Sequence, residues 1–309
     1  MFSGQGSQYY QMGRALFDGN NVFRRWMLEM DRMVLAQTSR SVLCTLYDPA
    51  RGKAQPFDQL SSSHPAIFMV EYALARTLIE SGVKPDMVLG ASLGTFAAAA
   101  VAGAISMEDA LSMVLEQAAF IESAAPAGGM IAVLGDPALH EQAGLEAQCD
   151  IAAYSFPLHF VVSATCEPLA LVEAVLSERG IVHQRVPVAY AFHSRWFDPA
   201  KETCLWIFSN MAARAPAIPL VCCAQAAPLA VPNAQSWWDV LRRPIDFQQT
   251  VRRLETQGPF TYLDVGPSGT LATFLKYLLP ADARQRVHAI LGPMGRDADA
   301  LATAIHALR

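Results

Sequence analysis

Residues 86–105, DMVLGASLGTFAAAAVAGAI, restrict the fold more than any other part of the chain. The apolar run at 87–90 is bounded by KPD before it and by a glycine at its end, the pattern of a short, fully buried strand of a parallel sheet. From Leu93 onward the residues are helix formers. Between strand and helix lies Gly90-Ala91-Ser92-Leu93-Gly94, which fits G-x-S-x-G. A strand that turns abruptly into a helix needs residues without bulk on both sides of the turn, and such a turn exposes the serine hydroxyl. The following helix aims its free N–H groups and positive dipole end toward that oxygen. Ser92 therefore reads as a nucleophile, and the plainer alternative is a serine capping the helix.

The rest of the chain repeats this alternation. LVCCA (220–224) and TYLDVG (261–266) read as buried strands beside helical stretches at 238–241 and 268–279, and a further helix starts at the cap-like Ser106 with Glu108 in its first turn. Strands alternating with helices give an α/β core with a parallel sheet. The middle differs. MIAVLG (130–135), a helix near 137–146, CDIAAY (149–154), HFVVSA (159–164), a helix near 167–179 and HQRVPV (183–188) follow in order. That is βαββαβ, a ferredoxin-like split unit of about 60 residues. The predicted organisation is a large α/β domain from residues 1–127 and 191–309, interrupted by a small subdomain at 128–190.

Composition narrows the function. The 309 residues are 52% hydrophobic and 17% charged, as in a core-rich globular protein, and can form two domains. A net charge of −5 argues against nucleic acid or an anionic membrane as partner. No run reaches the roughly 18 apolar residues that span a bilayer, and MFSGQGSQYY is not a secretory signal. The six cysteines form no CxxC pair and no ligand spacing with histidine, so neither a disulfide framework nor a metal site is expected. Free thiols suit a reducing cytoplasm.

A nucleophilic serine needs a base. His193, in VAYAFHS, follows an apolar strand-like run and precedes helix-like sequence, whereas His140 and His306 sit on polar helical stretches and His288 on a strand near the end. A single histidine is more often structural than catalytic, and both readings stand on the residues alone.

GQGSQ (4–8), GASLG (90–94), AFHS (191–194) and DVGPSGTL (264–271) occur in that order. Together they resemble the malonyl-CoA:acyl-carrier-protein transacylase family of fatty acid and polyketide synthesis, over essentially the whole chain. The resemblance implies a ping-pong mechanism in which His193 takes the proton of Ser92 and Ser92 attacks a thioester. It implies an oxyanion hole from the backbone N–H groups of Gln5 and Leu93, and a histidine oriented by a backbone carbonyl near Val240 rather than by an aspartate. A lipase-like enzyme would require that acid.

Several positions depart from the family. Malonyl-specific members hold the malonyl carboxylate with an arginine on the helix after the elbow, and Gln117 stands there in this chain. Gln117 can hydrogen-bond but cannot neutralise a carboxylate, although Arg195 or Arg185 could supply a charge from elsewhere. The family histidine before the nucleophile is Ala91. The usual Asn-x-Pro-x-Gln of the small subdomain is Ser155-Phe156-Pro157-Leu158-His159, a channel Gln-Pro is His64-Pro65, and Phe192 belongs to a mixed YAFHS form. The proline expected before GQGSQ is Ser3. This combination is similar to the free-standing acyl hydrolase branch of trans-acyltransferase polyketide synthases. The resemblance implies removal of stalled acyl groups from acyl carrier proteins, with acyl or malonyl transfer to a carrier as the alternative. No cofactor is expected, because the acyl group arrives on the phosphopantetheine of the carrier.

Overall fold

The computed structural model describes residues 1–308. Strand β1 (Val88–Gly90) pairs in parallel with β6 (Leu220–Cys222), in the register Val88↔Leu220 to Gly90↔Cys222. The two-residue β7 (Ala227–Pro228) adds antiparallel to β6. Phe2 extends the arrangement on the other side through a parallel bridge to Gly90. A separate parallel pair joins β9 (Tyr262–Asp264) to β10 (Val287–Ala289). All three residues of β1 and of β6 are buried, as strands covered on both faces must be. Helices cover them, among them Leu60–Glu80, Gly94–Val101, Met107–Ala124 and Ala234–Arg242. Stacking of Phe96 on Trp237, with ring centroids 5.0 Å apart, ties the elbow helix to the last of these.

The second sheet has the order β5-β2-β4-β3-β8, from β2 (Gly128–Leu134), β3 (Asp150–Phe156), β4 (His159–Thr165), β5 (His183–Val186) and β8 (Ile245–Asp246). Its first four strands and the helices Leu139–Gln142 and Cys166–Glu178 follow in βαββαβ order. The first of these helices is a single turn, shorter than the sequence suggests. Gly144, at φ 67°, stops it, and the Leu145 N–H closes back on the His140 carbonyl. The pairing of β3 with β8 in parallel is not visible in the sequence, since two residues carry no periodicity.

Alternation along these strands explains the placement of the site. Ile131, Val133, Phe160 and Val162 pack with Leu169, Val172 and Leu176 of the covering helix. Their neighbours Met130, Ala132, Ala153, Ser155, His159, Val161 and Val186 instead line a cavity that also contains Ser92 and His193. One face of the small sheet makes its own core, and the other walls the site.

Candidate active site

The elbow is sterically forced. A Cβ on Gly90 would sit 2.4 Å from the Thr95 Cα, and one on Gly94 would sit 2.3 Å from the Phe2 carbonyl oxygen. Ser92 adopts φ 51°, in the left-handed region. Its Oγ lies 2.9 Å from His193 Nε2. His193 Nδ1 lies 2.7 Å from the Arg243 carbonyl oxygen, and its backbone N–H donates to the Leu241 carbonyl at 3.1 Å. A carbonyl can only accept, so Nδ1 carries the ring proton and Nε2 offers its lone pair to the Ser92 hydroxyl. His193 is 2% exposed. Burial lowers its pKa to about 4, against the raising effect of the Arg243 carbonyl, while the Arg242 charge lowers it further. The imidazole is neutral at pH 7, as a general base must be.

Val240 does not orient the histidine. It lies within the Ala234–Arg242 helix with its side chain in the core, whereas Arg243 has left helical geometry (φ −76°, ψ 152°) and supplies the acceptor. Pro244 follows and disfavours helical geometry at the residue before it, so the helix ends there and the Arg243 carbonyl is left to accept from His193.

The backbone N–H groups of Gln5 and Leu93 have no protein partner among the described residues, and both residues line the cavity. The loop bearing Gln5 is drawn to the serine. A Cβ on Gly4 would be 2.9 Å from the Ser92 Cβ and 3.4 Å from its Oγ. The Ser3 N–H donates to Glu71 Oε1 at 2.6 Å and the Ser3 hydroxyl to the same oxygen at 3.0 Å, while Ser7 Oγ donates to the Gly4 carbonyl at 2.8 Å. Serine in place of the family proline makes the first of these bonds possible, since proline has no N–H. Burial raises the Glu71 pKa well above its ordinary value, opposed by the bonds from Ser3. Sequence reasoning missed Glu71, which is hidden in the long apolar 60–80 helix.

Ala91, His64, Ser155, His159 and Phe192 all line the cavity of about 390 Å³ around Ser92. Gln117 does not. It is 0% exposed, on a helix packed against Leu60–Glu80 and Gly94–Val101, and neither amide atom has a partner. Thr270, Leu271 and Phe274 reach the cavity instead. Asp264 sets their helix by accepting from the Gly266 and Ala272 N–H groups at 2.9 and 2.8 Å, which accounts for DVGPSGTL. Arg185 is the one Lys or Arg on the cavity wall among the described residues, and it is tied to Glu173 at 2.6 Å. Arg195 pairs with Asp150 at 3.2 Å. No group of His, Cys, Asp and Glu among the described residues is arranged to hold a metal.

This arrangement can form and resolve a covalent acyl-serine. The acyl transferase domain profile matches residues 1–309, and the chain belongs to that family. It is 42% identical to the polyketide biosynthesis acyltransferase homolog BaeD of Bacillus velezensis and 40% identical to PksD of Bacillus subtilis, in both cases over 96% of this chain and 92% of the relative. Among solved structures, a loading acyltransferase of the avermectin modular polyketide synthase superposes with a TM-score of 0.89 at 27% identity, covering 100% of this chain and 98% of that one. MCAT from Streptococcus pneumoniae does so with a TM-score of 0.82 at 25% identity, over 99% of this chain and 98% of that one.

Proposed function

We propose that the chain is a cytoplasmic acyl hydrolase that removes uncharged acyl groups from acyl carrier proteins of a polyketide synthase of the trans-acyltransferase type. Ser92 Oγ attacks the thioester carbonyl carbon and passes its proton to His193 Nε2. The Gln5 and Leu93 N–H groups hold the developing oxyanion, each such donor contributing about 3 kcal/mol of transition-state stabilisation. The carrier thiolate leaves with the proton from His193. Water then attacks the acyl-serine, with His193 again as base, and the carboxylic acid departs.

The observation that carries this reading is the neutrality of the cavity. Its one Lys or Arg among the described residues, Arg185, is committed to Glu173, so a malonyl carboxylate would be desolvated beside the dyad without a counter-ion. An uncompensated buried charge costs roughly 3–5 kcal/mol, or two to three powers of ten in binding. A site that rejects the extender unit and accepts neutral acyl groups suits clearance better than loading. Transfer to a second carrier is the competing reading. It uses the same acyl-serine, and the names of the structural relatives favour it. Turnover of butyryl-carrier protein in heavy-oxygen water separates the two. Hydrolysis places one heavy oxygen in free butyrate, whereas transfer leaves butyrate unformed and the butyryl group on a second carrier thiol.

A further inference from the structure

The cavity contains more hydrogen-bonding capacity than an alkyl chain can use. His64 lines it, is 2% exposed, and neither ring nitrogen has a partner among the described residues. Its ring centroid is 6.0 Å from that of Phe192, the residue beside the base. From β4, His159 also lines the cavity, with its ring 4.9 Å from Phe156 and 5.4 Å from Phe274 and a buried, unpartnered Nδ1. Both polar atoms of the Gln5 side chain are likewise buried without a partner. Three separate elements thus place neutral donors and acceptors around one cavity.

Buried polar atoms left unpaired are costly, and a site built around them discriminates strongly against ligands that cannot pair with them. A carboxylate does not fit this set. Burial alone holds His64 neutral, with its pKa lowered to about 3, so no charge is there to meet one. A neutral oxygen does fit, because a neutral imidazole offers one N–H and one lone pair.

We propose that the acyl pocket selects chains carrying a neutral oxygen substituent close to the thioester, a hydroxyl or ketone, and that His64 is the specificity-determining contact. This rests on the thioester reading of the site given above and names its substrate class. The test is the rate of Ser92 acylation by 3-hydroxybutyryl- and butyryl-carrier protein, read by intact-protein mass before turnover. The hydroxyacyl group should load faster by about five- to tenfold, the effect of one hydrogen bond. In His64→Phe the ratio should fall to about one, and His64→Gln, which keeps a donor and an acceptor, should retain part of it. A wild-type ratio at or below one overturns the proposal without recourse to any variant, as does an unchanged ratio in a folded His64→Phe. Acyl-serine formation precedes hydrolysis, so an enzyme that loads with this preference but passes the group to a thiol supports the pocket assignment while refuting the hydrolase. Failure of both thioesters to label Ser92 overturns both.

Discussion

Ser92 and His193 both hold left-handed backbone, at φ 51° and 58°, where a side chain costs roughly 1–2 kcal/mol relative to the right-handed region. Close packing of Gly4, Gly90 and Gly94 maintains the serine there. Two inactive variants should therefore differ in stability. Ser92→Gly should unfold about 1 kcal/mol later than Ser92→Ala, because glycine adopts positive φ without strain. Equal unfolding free energies would show that the elbow stores no strain. The histidine makes a second prediction. With its pKa near 4, the base is already deprotonated throughout the neutral range, so the rate of acyl-serine formation should be flat from about pH 5 to 8 and fall below that. An inflection near 6.5 in single-turnover labelling would mean that His193 is not desolvated as described.

At the scale of elements, the loop that supplies Gln5 depends on a buried carboxyl from another helix. Glu71→Ala removes the acceptor of the Ser3 N–H and hydroxyl, and an unsatisfied buried donor costs about 1–3 kcal/mol. Chemical unfolding should show that loss, with Glu71→Gln losing less. The pH dependence has a definite sign. The folded pKa of Glu71 is raised by burial, so its contribution is complete below the unfolded value and is lost as pH rises through the folded one. Stability should decline with rising pH over that window, and Glu71→Gln should flatten the decline. Asp264, shifted in the same direction by its own burial, leaves a residual slope. An identical pH profile in wild type and Glu71→Gln would mean that Glu71 is ionised in the folded state. How much of this was legible varies by element. Apolar runs such as MIAVLG and HFVVSA mark β2 and β4 because one face of each packs on a helix and the other lines the cavity, and the glycines mark the elbow because nothing larger fits. Alignment on a family pattern put the orienting carbonyl near Val240 and a substrate contact at Gln117. Sequence position does not show where a helix unwinds, which selects Arg243. Glu71 leaves no local signal, since its partner is 68 residues away.

At the scale of the whole molecule, the active cavity is walled by the elbow and the GQGSQ loop on one side and by one face of the five-stranded sheet on the other. Its electrostatic character is a property of that enclosure, in which Arg185 is already paired and the histidines are neutral or deprived of charge by burial. A substrate carboxylate should therefore be rejected at the first chemical step. One competition tests this together with the fate of the acyl group: the enzyme is mixed with equal amounts of butyryl- and malonyl-carrier protein and an unacylated carrier of distinguishable mass, and all carriers are weighed over time. The expected result is conversion of butyryl-carrier to free carrier, with malonyl-carrier intact and the added carrier unacylated. Movement of malonyl onto the added carrier at a rate matching or exceeding butyryl loss would contradict the account.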